Sequence, residues 1–342
     1  MCLTDFDFPF DPSLIADHPV SPRDHARLLH VPRGHGAIGH YRICDLPHLL
    51  KAGDVLVFND TKVIPARLRG RKRPGGGKVE LLMVKPLADA VWHVLLRGRV
   101  KPGQVIEITP DAQATVLDRQ PDHAVVRVEG PSSVPELLQK HGEIPLPPYI
   151  KRPPTLADQR DYQTIFAREE GAIAAPTAGL HFTPRLLEAL SAAGIRYTCL
   201  TLHVGPGTFR PVTTRTIEHH VMEPEWYAIP KDTAEMVNRA KQEGRRIVAV
   251  GTTVVRALEA AADESGEVHP GNRETSLLIT PGYRFQVVEA LMTNFHLPRT
   301  TLLMLVSAFM GIDQARRAYE EALAHRYRFY SYGDAMLIDS RE

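Results

Sequence analysis

The chain has 342 residues, of which 43% are hydrophobic and 24% charged, with 28 prolines and 24 glycines. This composition is typical of a globular protein with many loops, and it excludes a disordered or fibrous chain. The formal net charge of +1 excludes a chain that is basic throughout, so any binding of nucleic acid must come from a local basic patch. The length favours a large domain with a smaller inserted or appended one.

Cysteine usage and the amino-terminal segment indicate the compartment. Cys2, Cys44 and Cys199 are widely spaced and form no CxxC pair, which argues against a disulfide framework or a cysteine zinc site. The first residues include acids where a signal peptide has basic residues followed by an apolar core. The longest apolar run, residues 302–310, is well short of the roughly 20 residues that cross a bilayer. We therefore expect a cytoplasmic protein without a membrane segment.

The first half of the chain predicts two kinds of structure. A possible strand at residues 42–44 precedes a stronger one at 54–58, which ends in the polar triplet Asn59, Asp60 and Thr61, a site candidate. Residues 68–128 then contain short β runs separated by Gly, Pro and Asp, which predict a small antiparallel barrel or sandwich. The proline-rich segment 143–154 is interpreted as the connection back to the main domain.

The second half alternates helices and strands. Thr183 and Pro184 are typical of a helix start, and Gly194 and Gly244 are placed to end two helices. Strands are predicted at 198–204, 246–250, 277–280 and 287–291, with a buried helix at 302–310. We therefore predict an α/β catalytic domain with a mixed sheet, formed by residues 1–66 and 150–342, and an inserted small β domain at 67–149.

Three similar segments, AAPTAGLHFT, LTLHVGPGTF and TNFHLP, each place a histidine among small residues and turn formers at the end of an apolar run. Such segments suit loops that approach a ligand closely, which suggests one composite site. A lone histidine is more often structural, but three in similar contexts favour function. An accompanying phenylalanine suits stacking on a nucleobase or packing in the core. The residues concerned are His181, His203, His296, Phe182, Phe209 and Phe295.

Residues 251–253 follow a predicted buried strand and open a helix. This arrangement presents free backbone N–H groups to a carboxylate or phosphate, although a simple capping turn explains it equally well. Arg256, one turn further on, reaches either the same anion or solvent. The segment EHHVMEPEW resembles a metal cluster but contains no HExxH motif, so we expect no metal there and interpret Glu225 or His220 as an acid, a base or a polar anchor.

A basic run between residues 62 and 78 contains no acidic residue. It is interpreted either as a solvated hairpin with a glycine tip or as a surface that binds nucleic-acid phosphates. Besides Lys62, its basic residues are Arg67, Arg69, Arg71, Lys72, Arg73 and Lys78.

Motifs along nearly the whole chain resemble the S-adenosylmethionine:tRNA ribosyltransferase-isomerase family of queuosine biosynthesis. They include FNDTKVIPARL, GEIPLPPYI, AAPTAGLHFT, LTLHVGPGTFRPV, VGTTVVRALE, TNFHLPRTTLLMLVSAF and YRFYSYGDAMLI. The resemblance implies transfer and isomerisation of the ribosyl part of S-adenosylmethionine onto 7-aminomethyl-7-deazaguanine at the tRNA wobble position. The products implied are epoxyqueuosine-tRNA, adenine and methionine. It also implies that S-adenosylmethionine is a consumed co-substrate, so no cofactor is required, and that the partner is the tRNA anticodon arm.

This resemblance suggests a role for each candidate residue. His203 or His181 serves as base or adenine-side acid, and Asp60 and Glu225 hold ribose hydroxyls or the incoming amine. Gly251, Thr252 and Thr253 would bind the methionine carboxylate. The phenylalanines would stack on adenine or deazaguanine. The basic run would bind the phosphates of the anticodon arm. Further substrate-binding candidates from the same motifs are Thr177, Gly179, Gly205, Gly207, Arg256, Asn294 and His296.

Three positions depart from the usual family residues. Glu223 stands where histidine is common, Val254 where serine often follows the GTT motif, and Ser276 where aspartate is frequent. The alternatives are another S-adenosylmethionine-dependent tRNA-modifying enzyme and a tRNA-binding relative without catalysis. We expect a monomer.

Overall fold

The computed structural model describes residues 1–34, 36–205, 212, 214 and 216–339. It divides into two compact units. The larger unit comprises Met1–Lys62, Pro147–Arg152 and Arg160–Glu342, and the smaller comprises Val63–Leu146 and Pro153–Gln159. That the larger unit is the catalytic one stays a prediction.

A nine-stranded mixed sheet forms the centre of the larger unit. Its strands, in the order in which they pair, are β15 (Gly271–Thr275), β13 (Glu225–Ile229), β12 (Arg196–Leu202), β3 (Val55–Asn59), β14 (Ile247–Val250), β16 (Ala290–Asn294), β17 (Ala335–Asp339), β1 (Arg27–Pro32) and β2 (Gly39–Arg42). The four strands from β12 to β16 are parallel neighbours. β13 runs antiparallel to β12 and β15, whereas β17 runs antiparallel to β16 and parallel to β1. The predicted mixed α/β fold is thus confirmed.

Both faces of this sheet are buried. Along β3, Val55 and Val57 belong to one hydrophobic cluster, whereas Leu56 and Phe58 belong to another on the opposite face. This alternation follows from the two-residue period of a strand, and a strand covered on both sides is apolar throughout. The helices of the larger unit are α1 (Leu46–Leu49), α4 (Pro184–Ala192), α5 (Lys231–Gln242), α6 (Thr252–Ala261), α7 (Thr301–Met310) and α8 (Ile312–Ala324), and α3 (Leu156–Asp161) has residues in both units. None of the described helices is long and apolar enough to span a bilayer.

The structure agrees with the predicted start of one helix and the predicted ends of two. The Thr183 hydroxyl accepts the N–H of Leu186 at 3.2 Å at the start of α4, and Gly194 and Gly244 adopt φ values of +76° and +66° after α4 and α5. These positive angles are those that glycine reaches without steric strain.

The smaller unit contains a closed six-stranded antiparallel barrel, as predicted for a barrel or sandwich. Its strands are β5 (Arg67–Arg73), β6 (Lys78–Ala88), β7 (Val91–Arg97), β8 (Val105–Thr109), β9 (Ala112–Arg119) and β10 (Ala124–Glu129), and the pairing order is β10-β7-β6-β5-β8-β9. Alternate apolar side chains such as Leu68, Leu81 and Val126 are fully buried. The helix α2 (Val134–His141) follows, with the Ser133 hydroxyl accepting the N–H of Glu136 at its start.

Two predicted strands are wrong. Residues 43–45 form a 3-10 helix after β2 instead of a strand, and residues 277–280 are irregular because pairing with β13 involves Gly271–Thr275. The basic run contains β5 and is thus part of the barrel, with Gly75 and Gly76 at the turn to β6. Two further short strands, β4 (Thr61–Val63) and β11 (Glu169–Ala172), pair with each other.

A buried ion network joins strand ends at the edge of the main sheet where β3 and β14 begin. Arg246 donates from Nε to Asp54 at 3.0 Å and from Nη1 to Asp339 at 2.9 Å, and His30 contacts Asp339 at 2.7 Å. Both carboxylates are almost fully buried, so each depends on the guanidinium for charge compensation.

We expect Arg246→Met to lower the free energy of unfolding by about 3–5 kcal/mol, because it leaves two buried carboxylates without a cation. Urea unfolding measures the change. Arg239→Met is the control, since Arg239 is exposed in the last turn of α5 and its loss is expected to change stability by less than about 0.5 kcal/mol. A loss below about 1 kcal/mol for Arg246→Met would contradict the role of the network.

Candidate functional site

The carboxyl ends of the four parallel strands meet at one edge of the sheet, and most of the predicted site residues follow these ends. Asp60 follows β3, His203 follows β12, Gly251 follows β14, and Asn294 ends β16. Because β17 runs antiparallel to β16, with Asn294 paired to Ala335, the segment before β17 reaches the same edge. Ligands of open α/β sheets bind at this edge.

Asn59 fixes the geometry of this edge. Its side-chain oxygen accepts the N–H groups of Leu202 and Thr61, each at 3.1 Å. Its side-chain nitrogen donates to the Leu202 carbonyl at 2.9 Å and to the Thr253 hydroxyl at 3.2 Å. One buried amide therefore joins the ends of β3 and β12 to the start of α6.

A cavity of about 50 Å³ in the larger unit opens to solvent at this edge. Its walls come from the segments after β11, β12 and β14, from the end of β16 and the segment after it, from the segment before β17 and from residue 149. They comprise Tyr149, Ala175, Pro176, Thr177, Ala178, Val204, Gly251, Thr252, Thr253, Thr293, Asn294, His296, Leu302, Tyr330 and Ser331.

Six of the predicted substrate-binding residues line this cavity: Thr177, Gly251, Thr252, Thr253, Asn294 and His296. Gly179 does not. It lies in a 3-10 helix, where a Cβ atom at its position would be 3.0 Å from the methyl group of Thr164. Gly205 donates its N–H to Glu225 and is likewise not part of the wall. Gly207 and Phe209 lie outside the described residues.

The start of α6 forms one wall of the cavity. Gly251 precedes the helix with φ +103°, a value that disfavours any residue with a side chain. Its carbonyl accepts the N–H groups of Val254 and Val255. The N–H groups of Thr252 and Thr253 have no carbonyl of a preceding helical turn to bond, because they are the first of the helix. The helix has ten residues, so its dipole favours an anion at this wall.

His203 lies between three neighbours. Its Nδ1 is 2.8 Å from the Thr61 hydroxyl, its ring stacks on Trp226 with centroids 4.8 Å apart, and a Cβ atom on Gly171 would lie 2.7 Å from its Nε2. Burial lowers the pKa of this imidazole below its usual value, so the ring is neutral at pH 7. The imidazole is not part of the cavity wall, although Val204, the next residue, is.

His181 and His296 are deeply buried, and burial lowers the pKa of each to about 3. The Nε2 atom of His181 is 3.3 Å from the amide nitrogen of Asn294, so the neutral ring accepts a hydrogen bond from it. His296 contacts the Thr293 hydroxyl at 2.9 Å. Such low pKa values make both histidines weak bases, which argues against the predicted role of His181 as a base.

Two predicted acidic residues are held by partners within the protein. Asp60 accepts the Thr201 hydroxyl at 2.6 Å and pairs with Arg168 at 2.8 Å, while burial raises its pKa. Glu225 accepts the N–H of Gly205 at 2.8 Å and forms a buried ion pair with Arg256.

The Arg256 guanidinium also donates from Nε to the Leu277 carbonyl at 3.0 Å. Arg256 does not line the cavity, and it reaches neither solvent nor the anion wall suggested by the sequence.

The stacking role predicted for Phe182 and Phe295 is wrong in this structure, because neither ring is exposed. Phe182 packs edge to face on Phe58 with centroids 4.7 Å apart. Phe295 packs on Tyr319 and Phe329 within the opposite hydrophobic cluster.

Sequence reasoning missed the aromatic residues that do line the cavity. Tyr149 and Tyr330 stack on each other with centroids 3.7 Å apart and an interplanar angle of 25°, and the Tyr149 hydroxyl contacts Ser331. Both tyrosines lie in motifs that carry the family resemblance, GEIPLPPYI and YRFYSYGDAMLI. Their wall position was hidden because neither follows a predicted strand.

Among the described residues, one group of side chains has metal-ligand spacing: His40, Glu321 and His325. Glu321 lies 3.0 Å from each histidine, all three side chains are partly exposed, and none was singled out by the sequence. In the segment EHHVMEPEW, the carboxylate of Glu225 forms an ion pair with Arg256. The absence of a metal requirement stays a prediction.

On the barrel, acidic residues from distant segments neutralise half of the predicted tRNA-binding residues. Arg67 pairs with Glu80, Arg69 with Glu143 and Arg73 with Glu107. The Lys72 ammonium donates to the Arg99 carbonyl at 3.1 Å. Arg71 and Lys78 are exposed cross-strand neighbours, and no described carboxylate lies within ion-pair distance of either.

We expect the low pKa of His296 to make folding sensitive to acid. The unfolded chain takes up this proton near pH 6.5 but the folded chain only near pH 3, so stability falls as the pH drops through this range. Urea titrations at pH 6.5 and pH 5 give the free energy of unfolding. Between these two pH values, we expect His296→Gln to lose about 1.5 kcal/mol less of it than the wild type. His48→Gln, at an exposed histidine, is the control and should lose as much as the wild type. Equal losses in all three proteins would contradict the prediction.

Comparison with known proteins agrees with this geometry. The sequence matches the queuosine biosynthesis protein family over residues 3–338. A relative from Thermus thermophilus is 52% identical, over 97% of this chain and 98% of its own length, and one from Pelobacter propionicus is 47% identical, over 99% and 100%. Both are named S-adenosylmethionine:tRNA ribosyltransferase-isomerase.

A solved structure is similar over the whole chain. It is the crystal structure of S-adenosylmethionine tRNA ribosyltransferase from Thermotoga maritima, which is 36% identical with a TM-score of 0.56 and covers 98% of this chain and 99% of its own. These matches confirm the resemblance drawn from the motifs and support it over the two alternatives. The chain therefore belongs to the queuosine biosynthesis protein family, as an enzyme of the S-adenosylmethionine:tRNA ribosyltransferase-isomerase type.

Proposed function

We propose that the enzyme transfers the ribosyl part of S-adenosylmethionine to 7-aminomethyl-7-deazaguanine at the wobble position of tRNA and isomerises it. The products are epoxyqueuosine-tRNA, adenine and methionine. The observation that supports this most is a cavity at the carboxyl ends of the parallel strands, lined by the motifs shared with the family.

The residues that line the cavity suit S-adenosylmethionine in charge and polarity. The methionine carboxylate is proposed to bind at the start of α6, where Thr252 and Thr253 offer backbone N–H groups and the positive end of the helix dipole. The N–H of Gly251 is not available, because it donates to the Met292 carbonyl at 2.8 Å. The apolar wall formed by Ala175, Val204 and Leu302 suits the uncharged parts of the molecule. The other wall holds His296, which is neutral and adds no positive charge near the sulfonium.

His203 is proposed as the base that starts the reaction. The sulfonium acidifies the neighbouring C5′ protons, so a modest base is sufficient. The imidazole of His203 is neutral at pH 7, and its contact with the Thr61 hydroxyl fixes the ring orientation. Loss of adenine, attack of the tRNA amine and epoxide closure with loss of methionine follow. These steps need no metal or redox cofactor.

Asp60 is proposed to act on the incoming amine or a ribose hydroxyl. It lies next to Thr61, the partner of His203, and its raised pKa brings it closer to a proton-transfer role. Glu225 is proposed to act only indirectly. One of its oxygens accepts the N–H of Gly205 and so positions the segment after β12, and the other is paired with Arg256.

The barrel surface around Arg71 and Lys78 is proposed to bind phosphates of the tRNA anticodon arm. Neither forms an ion pair with a described carboxylate, unlike Arg67, Arg69 and Arg73, although Glu107 lies opposite Arg71 on β8 and pairs with Arg73. A monomeric state and a cytoplasmic location remain part of the proposal.

The function is tested with purified protein, S-adenosylmethionine and tRNA carrying the deazaguanine. We expect adenine and epoxyqueuosine in equal amounts. S-adenosylhomocysteine in place of adenine would identify a methyltransferase, and tight tRNA binding without adenine release would identify a relative without catalysis.

In the same assay we expect His203→Gln to lower kcat by about 100-fold or more, because it removes a general base. The acid limb of kcat/KM for the wild type should have its midpoint below pH 6.5, since the base must be neutral and burial lowers its pKa. His181→Gln is the comparison, with a smaller expected loss. If both variants keep wild-type turnover, the base lies elsewhere.

For tRNA binding, we expect Arg71→Gln to weaken affinity and to reduce the slope of log K against log salt by about one. Arg127→Gln removes an equal charge from another exposed position of the barrel and is the control. Filter binding across a salt series measures both. Equal effects of the two substitutions would show that net charge, and not this surface, determines binding.

A further inference from the structure

The stacked tyrosines of the cavity have a geometry suited to a flat ligand. Tyr149 and Tyr330 are nearly parallel, whereas most aromatic pairs in the core, such as Phe295 with Tyr319 at 83°, meet edge to face. A parallel pair at the wall of a cavity presents a broad ring face. Both rings are partly exposed and line the same cavity. Base-on-aromatic stacking uses such a face.

Tyr330 is held in a backbone conformation that a bulky residue rarely adopts. Its φ is +71°, a region that favours glycine, and such strain is concentrated at ligand sites. Hydrogen bonds hold it there, since its N–H donates to the Phe295 carbonyl at 3.1 Å and its carbonyl accepts from Asn294 at 3.0 Å. Glycine would fit this backbone without strain, so the tyrosine ring indicates a need for the side chain.

Asn294 contributes an unused acceptor at the same place. Its side-chain nitrogen donates to the Tyr330 carbonyl and lies 3.3 Å from Nε2 of His181, contacts that orient the amide. The side-chain oxygen Oδ1 is buried, yet no residue that the structure describes donates a hydrogen bond to it. The residue as a whole is 2% exposed and lines the cavity. A buried acceptor without a donor is costly, which points to a donor from a ligand.

We propose that Tyr149, Tyr330 and Asn294 form a subsite for a purine-like base that carries an exocyclic amino group. The base stacks on the tyrosine pair and donates a hydrogen bond from its amino group to Oδ1 of Asn294. His181 is then a positioning residue, because its neutral Nε2 holds the nitrogen of the Asn294 amide and directs the oxygen away from it.

Two ligands of the proposed function carry this chemistry, and the subsite's identity rests on that function. Adenine of S-adenosylmethionine has a 6-amino group, and the tRNA deazaguanine has a 2-amino group. Both are flat, and both offer donors to a carbonyl oxygen.

The first test compares Tyr330→Phe with Tyr330→Asn by isothermal titration. Asparagine tolerates a positive φ but has no ring, whereas phenylalanine keeps the ring. The two probes are S-adenosylhomocysteine and free 7-aminomethyl-7-deazaguanine. We expect Tyr330→Asn to weaken one probe by about tenfold or more and Tyr330→Phe to leave it within about threefold of the wild type. The probe that is weakened identifies which base occupies the subsite.

The second test uses only the wild-type protein, so it does not depend on the folding of a variant. S-adenosylhomocysteine is compared with S-inosylhomocysteine, in which a 6-oxo group replaces the amino group. The deazaguanine is compared with its analogue without the 2-amino group. We expect the ligand lacking the amino donor to bind about tenfold more weakly in the pair that uses the subsite.

Equal affinities within both ligand pairs, or equal binding of both probes to wild type and Tyr330→Asn, would overturn the subsite. If the wild type releases no adenine from S-adenosylmethionine and tRNA carrying the deazaguanine, the proposed function fails and the subsite fails with it. Wild-type turnover without binding of either probe would overturn the subsite alone. Wild-type binding and turnover with no effect of Tyr330→Asn would overturn the subsite alone.

Discussion

The site depends on the Asn59 side chain, which joins two strand ends and a helix start. Its amide makes four hydrogen bonds, to both backbone groups of Leu202, to the N–H of Thr61 and to the Thr253 hydroxyl. Because this amide is buried, each of these bonds is needed to compensate for lost hydration. As a result, the Thr61 hydroxyl reaches His203 and the start of α6 faces the cavity.

The charge state of the site follows from burial. His181 and His296 have pKa values near 3, and the pKa of His203 is also lowered, so all three imidazoles are neutral at pH 7. Neutral imidazoles do not repel a sulfonium cation, whereas the start of α6 attracts the carboxylate of the same molecule. S-adenosylmethionine carries both charges, which gives the chemical reason why this cavity suits it.

Local sequence signals predicted the elements that depend on local physics. The cap at Thr183, the buried strand before Gly251 and the alternating barrel strands are all present, because caps and strand periods involve neighbouring residues. The failures involve partners distant in sequence. Phe182 and Phe295 were assigned to stacking, but packing from both hydrophobic clusters buries them.

Likewise, Glu143 neutralises the charge of Arg69, and Tyr149 stacks on Tyr330, although both partners are distant in sequence. The sequence pattern therefore could not show either contact.

Binding of S-adenosylmethionine in the cavity at the strand ends is best tested by a crystal structure of the protein with S-adenosylhomocysteine. We expect density for S-adenosylhomocysteine in the cavity, with its amino-acid carboxylate at the N–H groups of residues 252–253. Density for the ligand elsewhere, with the cavity filled only by water, would contradict it.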